Sequence, residues 1–195
     1  MRKVNRNWIF LLGYGIWAGA VVWLLGGCQS SRISVDAEQR QPIESALSGG
    51  FTFQADVANP SASQAYLQAS SLALTQNGNS ATRINLRGDG YFLTLQENHV
   101  RSRLPYFGDR TNVTDYNRPG GIEVDDEVSE YSSKAMPDGQ QIEFFANAGY
   151  ERFRFILKVR PGLRASLSVF SPQRSVIRYT GAVLPDAEVR NQTTP

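Results

Sequence analysis

Few side chains in this sequence are spaced to do chemistry. Glu123, Asp125 and Glu127 recur at every second position, with Asp126 and Glu130 beside them. On a regular strand the three share one face, about 6.6 Å apart. Calcium takes oxygen ligands that converge on one point, and a straight row spreads them. The row therefore reads as a solvated face that also discourages edge pairing. Arg152, Arg154, Lys158 and Arg160 are opposite in parity to Phe153, Phe155, Leu157 and Val159. They suit cross-strand pairing with the acids, or anionic headgroups at about 1 kcal/mol each. His99 is the single histidine, and one imidazole cannot build a multi-histidine metal site. Nothing places a serine and an acid around it as a triad needs. Acids are plentiful, yet no pair stands out for glycosidic hydrolysis. The sequence predicts no catalytic residue, no metal site and no cofactor.

Cys28 is the exception, because its setting is specific. It is the only cysteine, so no disulfide can form within the chain. The chain opens on a cationic stretch, Met1-Arg2-Lys3-Val4-Asn5-Arg6, followed by an apolar run from Trp8 to Leu25. A positive start, an apolar middle and small residues before a cut describe a secretory signal. The rival is a transmembrane helix, for which about 18 residues is the lower edge. Gly15 and Gly19 have the spacing of a helix-dimer motif, but glycines are common in such runs. Leu25-Gly26-Gly27-Cys28 resembles the lipobox of bacterial lipoproteins. That resemblance implies a signal peptide at 1–27, cleavage before Cys28, and a diacylglycerol thioether with palmitate-type acyl chains on its sulfur. Each buried methylene contributes roughly 0.8 kcal/mol, and more than one chain makes attachment permanent. Gln29 stands where an aspartate would retain a lipoprotein in the inner membrane. Gln29-Ser30-Ser31-Arg32 also lacks the acidic cluster of surface export. Both point to the outer membrane, facing the periplasm.

The anchor also changes the charge. Of 20 basic residues, Arg2, Lys3 and Arg6 precede Cys28, and none of the 18 acids does. The remainder carries 17 basic against 18 acidic residues, a formal charge of −1. A neutral domain has no electrostatic case for nucleic acid, which requires a basic face. About 150 residues suffice for one ordinary core.

The elements that must position these residues are strands. Residues 28–35 are polar and small, and read as a tether. Asp36 to Leu47 reads as a short helix, capped by Asp36, with Pro42 limiting its regularity and Ile43, Ala46 and Leu47 on its apolar stripe. From Phe51 the period is two: Phe51, Phe53, Ala55 and Val57 alternate with polar residues. Leu72 and Leu74 start a strand closed by Asn77-Gly78-Asn79. Ile84 and Leu86 alternate similarly, and Gly88-Asp89-Gly90 turns the chain into Tyr91 to Gln96. Val100 to Leu104 and Ile122 to Val128 follow. Asp138-Gly139 is a hairpin signal between Tyr131–Ala135 and Gln141–Ala146. Pro161-Gly162 joins the Phe153–Val159 strand to Leu163–Val169, and Val176 to Thr180 is last. Residues 185–195 are polar and read as a disordered tail. Parallel crossovers take a dozen or more residues, and the connections are too short. The fold class expected is all-β: an antiparallel up-and-down barrel over 36–184, with a short N-terminal helix, after a hydrophobic signal helix.

Several segments together resemble a family. Phe51-Thr52-Phe53-Gln54-Ala55 opens a strand after a short helix and a small-residue break. Leu104-Pro105-Tyr106-Phe107-Gly108 follows, then Gly120-Gly121-Ile122. Ala165-Ser166-Leu167-Ser168-Val169 and Arg174-Ser175-Val176-Ile177-Arg178-Tyr179-Thr180-Gly181 end the pattern. In order and spacing these resemble the bacterial lipoprotein family named domain of unknown function 4251, over about Ser34 to Leu184. The resemblance implies a lipocalin-like β-barrel and no defined activity, so no catalytic residue is carried over. Gln76 to Gly90 is longer than the resemblance implies, and reads as an added hairpin.

The most distinctive motif is Leu104-Pro105-Tyr106-Phe107-Gly108. Proline removes a donor and restricts Leu104, ending a strand. Glycine permits a positive φ. Two aromatics fixed between these breakers form either a core plug or the wall of an apolar ligand mouth. The function expected is that of a non-enzymatic envelope lipoprotein, joined to the membrane through acylated Cys28. Its barrel would bind a small apolar ligand or a partner protein. One alternative is a structural or assembly protein that docks envelope components through a sheet edge. The other is a hydrolase of envelope polymers, which requires a cleft with two close carboxylates.

Overall fold

Ile43 and Ala46 lie one helical turn apart, and both are buried. In the computed structural model they belong to α1, Ala37–Ser48, which continues past the internal Pro42. The structure describes residues 37–61, 80, 82–111 and 120–185, all within one unit, Ile33–Pro195. The signal and tether segments, Cys28, Asp36, the Leu72–Leu74 strand with its Asn77-Gly78-Asn79 turn, and residues 186–195 lie outside them. Among the described residues no helix is long and apolar enough to cross a membrane.

Gly49-Gly50 ends α1, and Gly50 adopts φ 91°, a left-handed conformation that favours glycine. Strand β1, Phe51–Pro60, follows. The next strands are β2 Ile84–Asn85, β3 Phe92–Gln96, β4 His99–Leu104 and β5 Ile122–Glu127. Then come β6 Ser129–Met136, β7 Gly139–Ala148, β8 Glu151–Arg160, β9 Arg164–Ser171 and β10 Arg174–Pro185. All pairings are antiparallel, in the order β5-β4-β3-β1-β10-β9-β8-β7-β6, with β2 also on β1. First and last strands therefore pair, as an up-and-down barrel requires, and the barrel is nearly closed. The two ends of the sheet, β5 and β6, are consecutive in sequence, with only Val128 between them. Across the remaining gap, Asp126 Oδ2 accepts from the Asn147 backbone N–H at 2.8 Å.

Alternation decides what fills the interior. In β8, Phe153, Phe155, Leu157 and Val159 are buried while Arg152, Arg154 and Arg160 are exposed. Phe51, Phe53, Phe144, Phe153, Phe155 and Tyr179 are the largest side chains below 2% exposure. Phe144 and Phe155 stack with centroids 5.1 Å apart. Burying each such ring contributes about 1.5–3 kcal/mol. These residues belong to one apolar cluster that also takes in Ile43 of α1.

Some boundaries differ from the sequence expectation. β10 runs on past Thr180 to Pro185: Gly181 stays paired with Ala55, opposite a bulge in β1 at Asp56, rather than ending the strand. A Cβ there would lie 1.9 Å from the Gln54 carbonyl oxygen, so only glycine fits. Val128 is buried but falls in the break between β5 and β6. The described part of the 76–90 stretch forms an antiparallel Ser80–Arg83 bridge and the two-residue β2; the rest of the expected added hairpin lies outside the described residues.

Candidate functional site

The Leu104–Gly108 motif follows directly from β4. Leu104 is buried, and Tyr106 and Phe107 are half-buried against the core. Two tyrosine hydroxyls tie the segment to β10. Tyr179, inside the barrel, donates to the Pro105 carbonyl. Tyr106 Oη lies 2.7 Å from the Asp109 carbonyl oxygen and 2.9 Å from Ser175 Oγ. Ser175 Oγ also accepts from the Asp109 backbone N–H at 3.1 Å. Burial pushes the Tyr106 phenol up, against the lowering effect of Ser175 and Arg174. Burial likewise holds the Tyr179 phenol far above its ordinary value. Both therefore act as neutral hydroxyls.

Gly108 is needed for space, not for a positive φ. Its backbone lies outside the left-handed region. A Cβ there would stand 2.6 Å from Ser175 Oγ and 2.7 Å from the Tyr106 hydroxyl. The glycine thus lets the chain pass close over the Tyr106–Ser175 contact.

Beside this staple sits an ion pair absent from the sequence expectation. Arg174 Nε and Nη2 donate to the two Glu151 oxygens at 2.8 and 2.9 Å. The side chains are only 10% and 11% exposed. Ser171 Oγ donates to Glu151 at 2.6 Å. Arg174 Nη1 donates to the carbonyls of Gly121 at 3.1 Å and Gly120 at 3.3 Å. The guanidinium also lies over Tyr106 and Phe153, 5.1 and 5.4 Å from their centroids. One arginine therefore joins β8, β10, the Leu104–Gly108 segment and the approach to β5. A signal for Glu151 was present in the sequence: it has the parity of Phe153, Phe155, Leu157 and Val159. An acid in register with an inward apolar row needs a buried partner.

A hollow of about 280 Å³ opens here, lined in part by Glu123, Glu151, Phe153 and Arg174. It brings two carboxylates together, as a hydrolase would require. Glu151 is unsuited to the general-acid role. Burial raises the Glu151 pKa, but hydrogen bonds from Arg174 and Ser171 and the charge of Arg174 outweigh burial and hold it below the usual range. A general acid needs the opposite shift.

The charged rows are placed as follows. Glu123, Asp125 and Glu127 are exposed on β5. Asp125 takes His99 and Arg101 of β4, the latter at 3.3 Å. Among the described residues, no three His, Cys, Asp or Glu are grouped to hold a metal ion. The basic row of β8 pairs with acids of other strands, not with β5. Arg152 meets Glu130, Arg154 meets Glu143 at 2.7 Å, and Arg160 meets Asp138 at 2.9 Å.

The last feature is β6. Seven of its eight residues are exposed and the eighth is half-buried. It pairs with β7 on one side only and ends the sheet. Tyr131, 52% exposed, projects from it. That ring borders a hollow of about 440 Å³ shared with Leu47, Phe51, Leu95 and Glu97.

The model of the family described as domain of unknown function (DUF4251) matches residues 30–183 of the chain. Comparison with curated proteins gave no match.

Proposed function

From the premise that this chain belongs to the DUF4251 family, we propose that it is a non-enzymatic envelope lipoprotein whose barrel docks a partner protein. The signal segment is removed, acyl chains on Cys28 hold the protein in the outer membrane, and the barrel faces the periplasm. The partner adds an extended segment to the free edge of β6. One observation carries this reading: β6 is exposed on both faces and unpaired on one side, while the interior is occupied by aromatic side chains. A free edge offers a row of main-chain donors and acceptors to another strand. Tyr131 and the hollow beside it supply an apolar anchor point, of the kind that dominates interfaces. The small-ligand version is less well supported, because Phe51, Phe53, Phe144, Phe155 and Tyr179 fill the inward positions. The Leu104–Gly108 segment is engaged with β10 rather than standing as an open mouth.

The test is site-specific photocrosslinking in intact cells. A photoreactive residue replaces Ser132 on β6, with Ser166 on β9 as the control position. The expected result is one discrete adduct from position 132, absent from 166 and lost in a Tyr131→Ala background. Equal adducts from both positions, or none from 132, would overturn the docking reading. Mass spectrometry of the mature N-terminus tests the anchor separately: the expected species begins at an acylated Cys28.

A further inference from the structure

The outer face of β8, β9 and β10 carries more cations than the acids beside it offset. Register places Arg160 directly across from Arg164 and Lys158 across from Ser166. One strand further, Ser166 meets Thr180 and Ser168 meets Arg178. Like charges directly opposite on antiparallel strands are destabilising. Asp138 offsets Arg160. Lys158 also lies in the field of Asp138, whereas Arg164 and Arg178 form no ion pair among the described residues, and Arg178 reaches Ser168 Oγ at 3.4 Å. Arg160, Arg164 and Arg178 are exposed. Hydroxyls of Ser166, Ser168 and Thr180 lie between these cations, and no acid alternates with them.

The location of this face adds a second argument. Arg160 and Arg164 flank the short turn Pro161–Leu163. Helix α1 packs against that turn. Eight residues, 29–36, lie between Cys28 and the start of α1. Such a length spans at most about 30 Å. A chain tethered through Cys28 therefore cannot carry the start of α1 farther than that from its membrane.

We propose that Lys158, Arg160, Arg164 and Arg178 bind the anionic headgroups of the bilayer that holds the chain, and so turn the α1 end of the barrel toward the membrane. Guanidinium forks suit phosphate oxygens. A cation close to an anionic surface improves partitioning by about fivefold. The proposal rests on the anchor reading above, and its test separates the two.

The full chain, as purified from membranes, is reconstituted into vesicles of phosphatidylcholine alone or with phosphatidylglycerol. An amine-reactive reagent then labels Lys158, with exposed Lys134 on β6 as the internal reference. The expected result is a drop of at least threefold in the Lys158-to-Lys134 labelling ratio on anionic vesicles. High salt should abolish the drop, because the screening length falls to about 3 Å at 1 M. Arg164→Glu with Arg178→Glu should abolish it too. A ratio equal on neutral and anionic vesicles overturns the proposal. Intact mass reports the anchor independently. A chain that keeps residues 1–27 and carries no acyl group defeats the anchor reading, while the labelling ratio still tests the cationic face.

Discussion

Glu151→Gln is the sharpest perturbation the structure offers. It keeps the volume of the side chain and removes one charge of a pair that is about nine-tenths buried on both sides. Removing one partner of a buried pair costs about 3–5 kcal/mol, because the other charge is left without compensation. Arg174 keeps the Gly120 and Gly121 carbonyls and two aromatic faces, so the low end, about 3 kcal/mol, is expected. For a domain of this size that corresponds to a Tm lower by about 6–12 °C. All three tryptophans, Trp8, Trp17 and Trp23, lie in the apolar run. Urea unfolding is therefore followed by far-ultraviolet circular dichroism. Replacing both partners, Glu151→Leu with Arg174→Met, removes both buried charges and should cost no more than Glu151→Gln alone. The acid limb gives a second readout. The Glu151 pKa is depressed in the folded state. Its contribution is thus present above the ordinary carboxylate value of 4.5 and lost as pH falls below it through the folded value. Glu151→Gln should flatten that part of the acid limb. A loss under about 1 kcal/mol, or a double variant costing the sum of the singles, would refute the argument.

Two further substitutions test the local geometry. Gly108→Ala places a Cβ 2.6 Å from Ser175 Oγ and should cost about 1–3 kcal/mol by thermal unfolding, with partial recovery on adding Ser175→Gly. Glu97 holds φ 53° in the turn between β3 and β4, so Glu97→Gly should raise stability by about 1 kcal/mol in the same assay; a lower Tm would show that the turn is not strained.

Much of the barrel was legible because strands write their burial into alternate positions. Phe153 to Val159 announced a half-buried strand, and Asp138-Gly139 announced its hairpin neighbour. The short connections by themselves required antiparallel pairing. Less legible was β10, since Gly181 reads locally as a stop. Only the Gln54 carbonyl, more than 100 residues away in sequence, shows it to be a close-contact glycine in a continuing strand. Similarly, Gly108 suggested a positive φ, whereas its reason is the space taken by Tyr106 and Ser175.

The candidate site divides in the same way. A linear sequence determined the spacing at Cys28, the near-neutral remainder of the chain, and which residues of each strand share a face, because these depend on neighbours along the chain. Tertiary structure alone decided which charges meet. Arg152, Arg154 and Arg160 took their acids from β6, β7 and the hairpin between them, not from the acidic strand β5. Glu151 found Arg174, Tyr106 found Ser175, and β6 was left without a neighbour at the end of the sheet. The physical reason is that side-chain partners are set by strand order and register. A one-residue change in register turns every side chain to the other face, and register is fixed by the whole barrel at once.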